Sequence, residues 1–309
     1  MVPKSMTFLV VHGKAARRED FREAIHTVRN EGHRIEIRTA EGPDDAFRIA
    51  RQAAESGVPT VAAGGGAGTI NRVLAGVLAA GPGAGSQVAF AAIPLGTTND
   101  LAASCGIPLD PTEALRLAAT GQAVPVDVGR VNGRCFLNMT TGGFGAACTP
   151  GTPQEAKATL GRAASLLTAL PHFDSIRPAR GKLSGPGLDW EGEFLALAVG
   201  NGRQAGGGHH LCPDALIDDG VLDVLILSHV PSVEIHRQLR TLLHGDPSAS
   251  SHALVATRVP SFRVESAEPM HINLDGEPVE GTRFEFDVLP GRILMRLPLA
   301  CTLLVRRAG

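Results

Sequence analysis

The chain has no tyrosine, one tryptophan and only 4% aromatic residues. Single-stranded nucleic acid is held on aromatic stacking platforms, so their scarcity argues against that ligand class. Net charge is also small. With 29 Lys and Arg against 31 Asp and Glu, the formal charge is −2, and no bulk basic field draws the protein to a polyanion. The five cysteines (Cys105, Cys135, Cys148, Cys212, Cys301) are far apart and form no C-x-x-C pair. That excludes a zinc module or a dense disulfide scaffold and suits buried thiols in a reducing compartment. The N-terminal apolar run is too short for a signal peptide. Val73 to Leu95 carries no charge, but Gly81-Pro82-Gly83-Ala84-Gly85-Ser86 interrupts it. This reads as a buried helix followed by a buried strand, not as a membrane span.

What is present is ample apolar material: 309 residues, 43% hydrophobic, enough for two domains. The first half alternates strand and helix patterns. Thr7–Val11 is a short strand; Phe21, Ala24, Ile25 and Val28 form one helical stripe; Arg34–Thr39 alternates as a half-buried strand. A helix starting at Asp44 or Asp45 follows, then a strand over Thr60–Ala63. A helix carrying Ile70, Val73, Leu74, Val77 and Leu78 comes next, then a strand over Val88–Pro94. This order predicts an α/β domain over residues 1–124 with a mostly parallel sheet. The remainder, 125–309, is rich in short strands, including Val124–Val131, Cys135–Thr140, Phe194–Val199 and Val221–Leu227. Helical patterns interrupt it at Pro153–Leu170 and Val233–Leu243. It predicts a β-sandwich-like second domain.

Gly64-Gly65-Gly66-Ala67-Gly68-Thr69 lies between a strand and a helix. Bare amides at a helix N-terminus suit a phosphate, because they donate hydrogen bonds and the helix dipole favours an anion. The same residues also suit a tight turn with no ligand. No G-K-[ST] closes the loop, so it is not a Walker loop. Gly200-Asn201-Gly202-Arg203-Gln204-Ala205 fits a dinucleotide spacing, yet Gly206-Gly207-Gly208 follows where that fingerprint needs a helix. The adjacent His209 and His210 point to opposite sides of an extended chain, which argues against a metal pair.

Six segments taken together, GGGAGTIN (64–71), PLGTTND (94–100), NMTTGGFG (138–145), GNGRQAGGG (200–208), CPDALIDDG (212–220) and NLDGEP (273–278), resemble the YegS-type bacterial lipid kinases of the diacylglycerol kinase family. The resemblance implies an ATP- and metal-dependent kinase that phosphorylates a lipid hydroxyl in a cleft between an α/β domain and a β-sandwich. By position it implies nucleotide contacts from Gly66, Gly68, Thr69, Ile70, Asn71 and Thr97, and it leaves Thr39 unassigned. It implies Asp275 as general base, with Glu277 assisting it or serving as a turn carboxylate. From the residues alone, Asp275-Gly276 is also a hairpin signal. It further implies a hard-cation site, Mg²⁺ or Ca²⁺, made of Asp219 and the carbonyls of Leu216 and Val221; oxygen donors in a loop suit such ions, and a solvated acidic turn is the plain alternative. The partners it implies are ATP and a membrane lipid approached from the surface, for a cytoplasmic protein with peripheral membrane contact. NAD kinases share the glycine-loop theme, but the second-half motifs fit the lipid kinases better.

The chain departs from this pattern in its most diagnostic motif. Where the family reads GGGDGTINEV, this chain reads GGGAGTINRV, with Ala67 for the acid and Arg72 for the glutamate. Loss of one catalytic electrostatic group costs about 10²–10³ in rate. Arg72 is expected in the first turn of its helix, where a cation opposes the dipole unless it binds a phosphate itself. The alternative to an active kinase is therefore a catalytically impaired homologue that binds nucleotide or lipid as a regulatory protein.

Overall fold

The computed structural model describes residues 6–81, 88–145, 178–229 and 254–305. The helical patterns at Pro153–Leu170 and Val233–Leu243, and Cys148, lie outside them. Two compact units emerge. One comprises Met1–Val128, Ile217–Asp219 and Pro290–Gly309, the other Gly129–Leu216 and Gly220–Leu289.

The first unit is built on β1 (Met6–His12), β2 (Arg34–Ala40), β3 (Thr60–Gly65) and β4 (Ala89–Pro94). β1 pairs in parallel with β2 and β3, and β3 with β4. Neighbouring side chains such as Leu9 and Val10, or Ala62 and Ala63, point to opposite faces of a strand, yet all are fully buried. Both faces must therefore be covered, as parallel sheets require. α1 (Glu19–Asn30) and α4 (Pro111–Thr120) share one apolar cluster with Leu9, Val11, Ala62 and Ile93. α2 (Pro43–Glu55) and α3 (Ala67–Ala79) pack on each other and on the strands. Gly76 permits that approach, since a Cβ there would lie 2.4 Å from the Phe47 carbonyl oxygen.

The buried stripe of α1 is Phe21, Ala24, Ile25 and Val28, the four residues its periodicity selects. In α3 the buried set adds Asn71 and Gly76, while Leu78 is only half-buried. α2 starts one step earlier than its acids suggest. Gly42 is the N-cap, Pro43 occupies the first turn, and Asp44 and Asp45 follow in the same turn, where they face the positive end of the dipole.

The end of the chain returns to this unit. Residues 294–295 of β15 (Glu277–Leu297) pair in parallel with Ala89 and Phe90 of β4. The sequence boundary, which runs the second domain to residue 309, thus misses a non-local strand pairing that no local pattern signals.

The second unit is antiparallel. β7 (Met139–Gly145) pairs with β9 (Leu188–Gly200), which pairs with β12 (Leu222–Ser228), which pairs with β13 (Leu254–Val259). β14 (Ser261–Leu274) runs beside the first part of β15 and also pairs with β7 and with β8 (Ala179–Gly185). Its core gathers Phe136, Leu183, Phe194, Val199, Phe262, Phe284 and Phe286. The predicted continuous strand over Cys135–Thr140 is instead broken. β5 (Gln122–Val131) pairs with β6 (Arg134–Phe136), and β7 begins only at Met139. The break falls at Leu137-Asn138, whose amides turn to a side chain, as described next. Gly200–Gly208 forms no helix. Gln204–Ala205 (β10) pairs with His209–His210 (β11) across glycines at positive φ.

Candidate functional site

In the first unit two loops meet at the C-terminal ends of β3 and β4. The Leu95 amide donates to the Gly65 carbonyl (3.1 Å). Gly96 lies so close to Gly66 that a Cβ on Gly96 would sit 2.5 Å from the Gly66 Cα. The loops thus abut backbone to backbone, and only glycine fits at Gly96. Asn99, in the left-handed region at φ 51°, ties off the second loop: its side chain accepts from the Gly96 amide (3.0 Å) and donates to the Gly96 carbonyl (3.1 Å). Thr69 covers Gly65 at a distance that leaves no room for a Cβ. Over Gly68, by contrast, a Cβ would meet nothing within 4 Å. Gly66 is the N-cap of α3, so the amides of its first turn have no partner within the helix.

A pocket of about 340 Å³ opens there, lined by His12, Lys14, Arg18, Gly65, Gly66, Thr69 and Leu95 among others. The ends of three strands supply it, the position at which open α/β sheets take ligands. Two of its lining residues are cations. Lys14 is exposed. Arg18 is held by Asp20 (2.5 Å), and that carboxylate raises the guanidinium pKa further, so the charge is permanent. In the sequence Lys14, Arg17 and Arg18 read as a solvated helix start or as contacts for anionic head groups; that Lys14 and Arg18 line this pocket depends on a strand end and a glycine loop meeting in space.

Gly66 and Thr69 line the pocket; Gly68 and Ile70 lie in the first turn of α3, and Ile70 is buried. Asn71 is buried in the second turn. Thr97 is exposed on the second loop. Thr39 does not line the pocket; its Cγ2 lies near Gly13, whose amide bonds to the Ala40 carbonyl. Ala67 is the exposed first residue of α3, and Arg72 is the sixth. The dipole penalty expected for Arg72 in a first turn therefore does not apply, since the effect decays within that turn.

In the second unit Asp275 and Gly276 are the two turn residues between β14 and β15, with φ 45° and 93°. Positive φ at both positions marks the primed turn that Asp-Gly favours. The Asp275 carboxylate is turned to the broken strand. It accepts the amides of Leu137 (2.6 Å, on Oδ2), Met139 (2.9 Å, on Oδ1) and Asn138, which is shared between both oxygens at 3.2 and 3.3 Å. Its own amide donates to the Met139 carbonyl (3.1 Å). Glu277, two residues on, pairs with Arg134 (2.6 Å).

The Leu137–Met139 turn is gripped from behind. The Asn201 side chain, fully buried, donates to the Leu137 carbonyl (2.8 Å). The amides of Asn201 and Gly202 donate to the Asn138 carbonyl (2.9 and 2.7 Å). Asn138 Nδ2 donates to the Gln204 carbonyl (3.0 Å). A Cβ on Gly202 would collide with Asn138 Oδ1 at 2.3 Å. Three of the quoted motifs, at 138–145, 200–208 and 273–278, are thus one interlocked structure.

The acidic loop 216–221 divides between the units. Ile217–Asp219 belong to the first, Leu216 and Val221 to the second. Asp218 is a structural acceptor for the Val305 amide (2.7 Å). The neighbouring carbonyls of Ala215 and Ile217 are taken by Arg203 Nε (3.0 Å) and the Asp127 amide (2.7 Å). The set at 216, 219 and 221 offers oxygen donors alone, the chemistry a hard cation prefers. Among the described residues no group of three or more His, Cys, Asp or Glu converges as a metal site. Cys105, Cys212 and Cys301 are buried thiols; burial pushes the Cys212 thiol far up and makes it a poor nucleophile.

Residues 7–131 match the diacylglycerol kinase catalytic domain, and residues 142–296 match the YegS C-terminal NAD kinase beta sandwich-like domain. A Pseudomonas aeruginosa protein named "Probable lipid kinase YegS-like" is 47% identical over 301 residues, covering 97% of both chains. The chain belongs to the YegS-like lipid kinase family. A Serratia proteamaculans relative of the same name is 41% identical over 98% of both chains. The crystal structure of a diacylglycerol kinase from Bacillus anthracis shares the fold, with a TM-score of 0.74 over 96% of this chain and 98% of that one, at 21% identity. The family's two-domain plan, catalytic domain and β-sandwich-like domain, is therefore this chain's plan. Among the described residues no helix is long and apolar enough to cross a membrane.

Proposed function

We propose that this YegS-like chain transfers the γ-phosphate of ATP to the hydroxyl of a membrane lipid. The observation that carries this reading is the abutment of Gly66 and Gly96 beneath a pocket lined by Lys14 and Arg18. Backbone amides there converge with fixed positive charge, which is what a polyphosphate needs. Gly66, Gly68, Thr69, Ile70, Asn71 and Thr97 hold the nucleotide. The lipid hydroxyl oxygen attacks the γ-phosphorus, the bond to the β–γ bridging oxygen breaks, ADP leaves, and Asp275 takes the hydroxyl proton. The reading places this exchange in the cleft that the family resemblance implies, because the Asp275 carboxylate has to reach the γ-phosphate.

Three amides on that carboxylate fix its direction. In phosphoryl transfer the bond to the leaving group is largely broken before the nucleophile bonds, so an aimed acceptor matters more than a strong base. Leu216, Asp219 and Val221 would hold a structural Mg²⁺ or Ca²⁺ through oxygen. Such an ion would neutralise the acidic loop and would be distinct from the Mg²⁺ that accompanies ATP.

A second reading, a nucleotide- or lipid-binding homologue of low activity, rests on Ala67 and Arg72. One assay separates the two: radiolabelled ATP and Mg²⁺ with diacylglycerol micelles and phosphatidylglycerol vesicles. The kinase reading expects labelled lipid from the wild type and about 10²–10⁴-fold less kcat from Asp275→Asn, with ATP affinity kept. Tight ATP binding with no labelled lipid from a full headgroup panel supports the second reading instead.

A further inference from the structure

The Asn201 side chain acts on the backbone that holds the carboxylate proposed as the base. A peptide unit joins the carbonyl of one residue to the amide N–H of the next. The Asn201 side chain donates to the Leu137 carbonyl (2.8 Å), and the N–H of that same peptide unit, Asn138, donates to Asp275. The Asn201 and Gly202 amides donate to the Asn138 carbonyl (2.9 and 2.7 Å). The N–H of that unit, Met139, donates to Asp275 Oδ1 at 2.9 Å. A donor placed on a carbonyl polarises the peptide and makes its N–H a stronger donor, an effect that grows where water is excluded. Asn201 is fully buried.

We infer that Asn201 is a positioning residue that sets the orientation and proton affinity of the Asp275 carboxylate through two polarised peptide units. It explains what the Gly200-Asn201-Gly202 sequence is for, once a dinucleotide role is excluded by the hairpin that follows. Gly202 has to lack a Cβ so that its amide can reach the Asn138 carbonyl (a side chain would strike Asn138 Oδ1 at 2.3 Å). Residue 201 supplies both the side-chain donor and one of the two main-chain donors. Removing the side-chain donor weakens the Asn138 N–H as a partner for the carboxylate. The carboxylate is then less stabilised, its pKa rises, and any step that needs it ionised loses its low-pH range.

The catalytic meaning rests on the kinase reading, but the positioning itself does not. The test is a ¹³C titration of the aspartate carboxyl carbons in the full chain, with the Asp275 signal assigned by its loss in Asp275→Asn. In Asn201→Ala the midpoint should rise on the order of half a pH unit. In Asn201→Ser, whose hydroxyl is too short to span to Leu137, it should rise similarly. Where lipid is labelled, the acid limb of kcat/KM should move up by the same amount, with kcat falling about tenfold and KM for ATP unchanged. An unmoved midpoint in either folded variant overturns the inference. Failure of both variants to fold overturns it too, because Asn201 would then hold the lobe and not the carboxylate. If the midpoint moves while the wild type labels no lipid, the positioning stands and the kinase reading fails. If Asp275→Asn abolishes labelling while the Asn201 variants match the wild type, the kinase reading stands and this inference fails.

Discussion

At the scale of single residues, Ala67 and Arg72 are where this chain departs from the glycine-loop motif that the sequence resemblance implies. Relative to an aspartate and a glutamate they remove two negative charges and add one positive near a pocket that already holds Lys14 and Arg18. Ala67, exposed at the first position of α3, has space for a longer side chain, so restoring the acid there meets no steric objection. The double variant Ala67→Asp/Arg72→Glu is expected to raise phosphotransfer by about 10²-fold, the size of one electrostatic catalytic group. Steady-state kinetics with Mg²⁺ and ATP checks it; no gain would show that the loop works without those acids. Asp275 teaches the complementary lesson. The Asp-Gly pair is a hairpin turn, and the same turn aims a carboxylate, so the structural and functional readings of that pair are not rivals.

At the scale of elements, the sequence made the first unit legible because its helices are amphipathic and its strands short and apolar. The stripe of α1 needed only its spacing. Failures came where a side chain from far away competes for backbone. Cys135–Thr140 has every property of one strand, and groups far along the chain, the Asp275 carboxylate on its amides and Asn201 and Gly202 on its carbonyls, hold it broken at Leu137-Asn138. Lys14 and Arg18 were visible but not their destination, which depends on a strand end and a glycine loop meeting in space. Asn201 was invisible as anything but part of a glycine-rich motif.

The contact of α2 with α3 gives a prediction at this scale. Gly76→Ala would place a methyl 2.4 Å from the Phe47 carbonyl and 2.9 Å from the Ala50 Cβ. The helices must part, which is expected to cost about 1–3 kcal/mol. Urea unfolding should show the midpoint lowered. Ala75→Gly, one position along on the half-buried side of the helix, should lose only about 1 kcal/mol by backbone entropy.

At the scale of the molecule, the first unit is not a continuous stretch of chain. Ile293, Met295, Leu297 and Leu303 are buried in it, and Arg296 donates to the Gly121 carbonyl (2.5 Å) and to Thr60 Oγ1 (3.2 Å). A fragment ending at residue 128 is therefore expected to show no cooperative thermal transition, although it holds nearly all of the matched catalytic domain. A fragment carrying residues 290–305 on a flexible linker after 128 should regain one. Circular dichroism melts of the two fragments check this.

That discontinuity also has a consequence for biogenesis. The Ala89–Phe90 end of the buried strand β4 waits for a partner that is translated some two hundred positions later. At about 5–20 residues per second, a ribosome leaves that apolar end uncovered for on the order of ten seconds or more. Nascent chains of this protein should accordingly engage holdase chaperones until the last strand emerges, and stalling translation before codon 290 should drive them into aggregates.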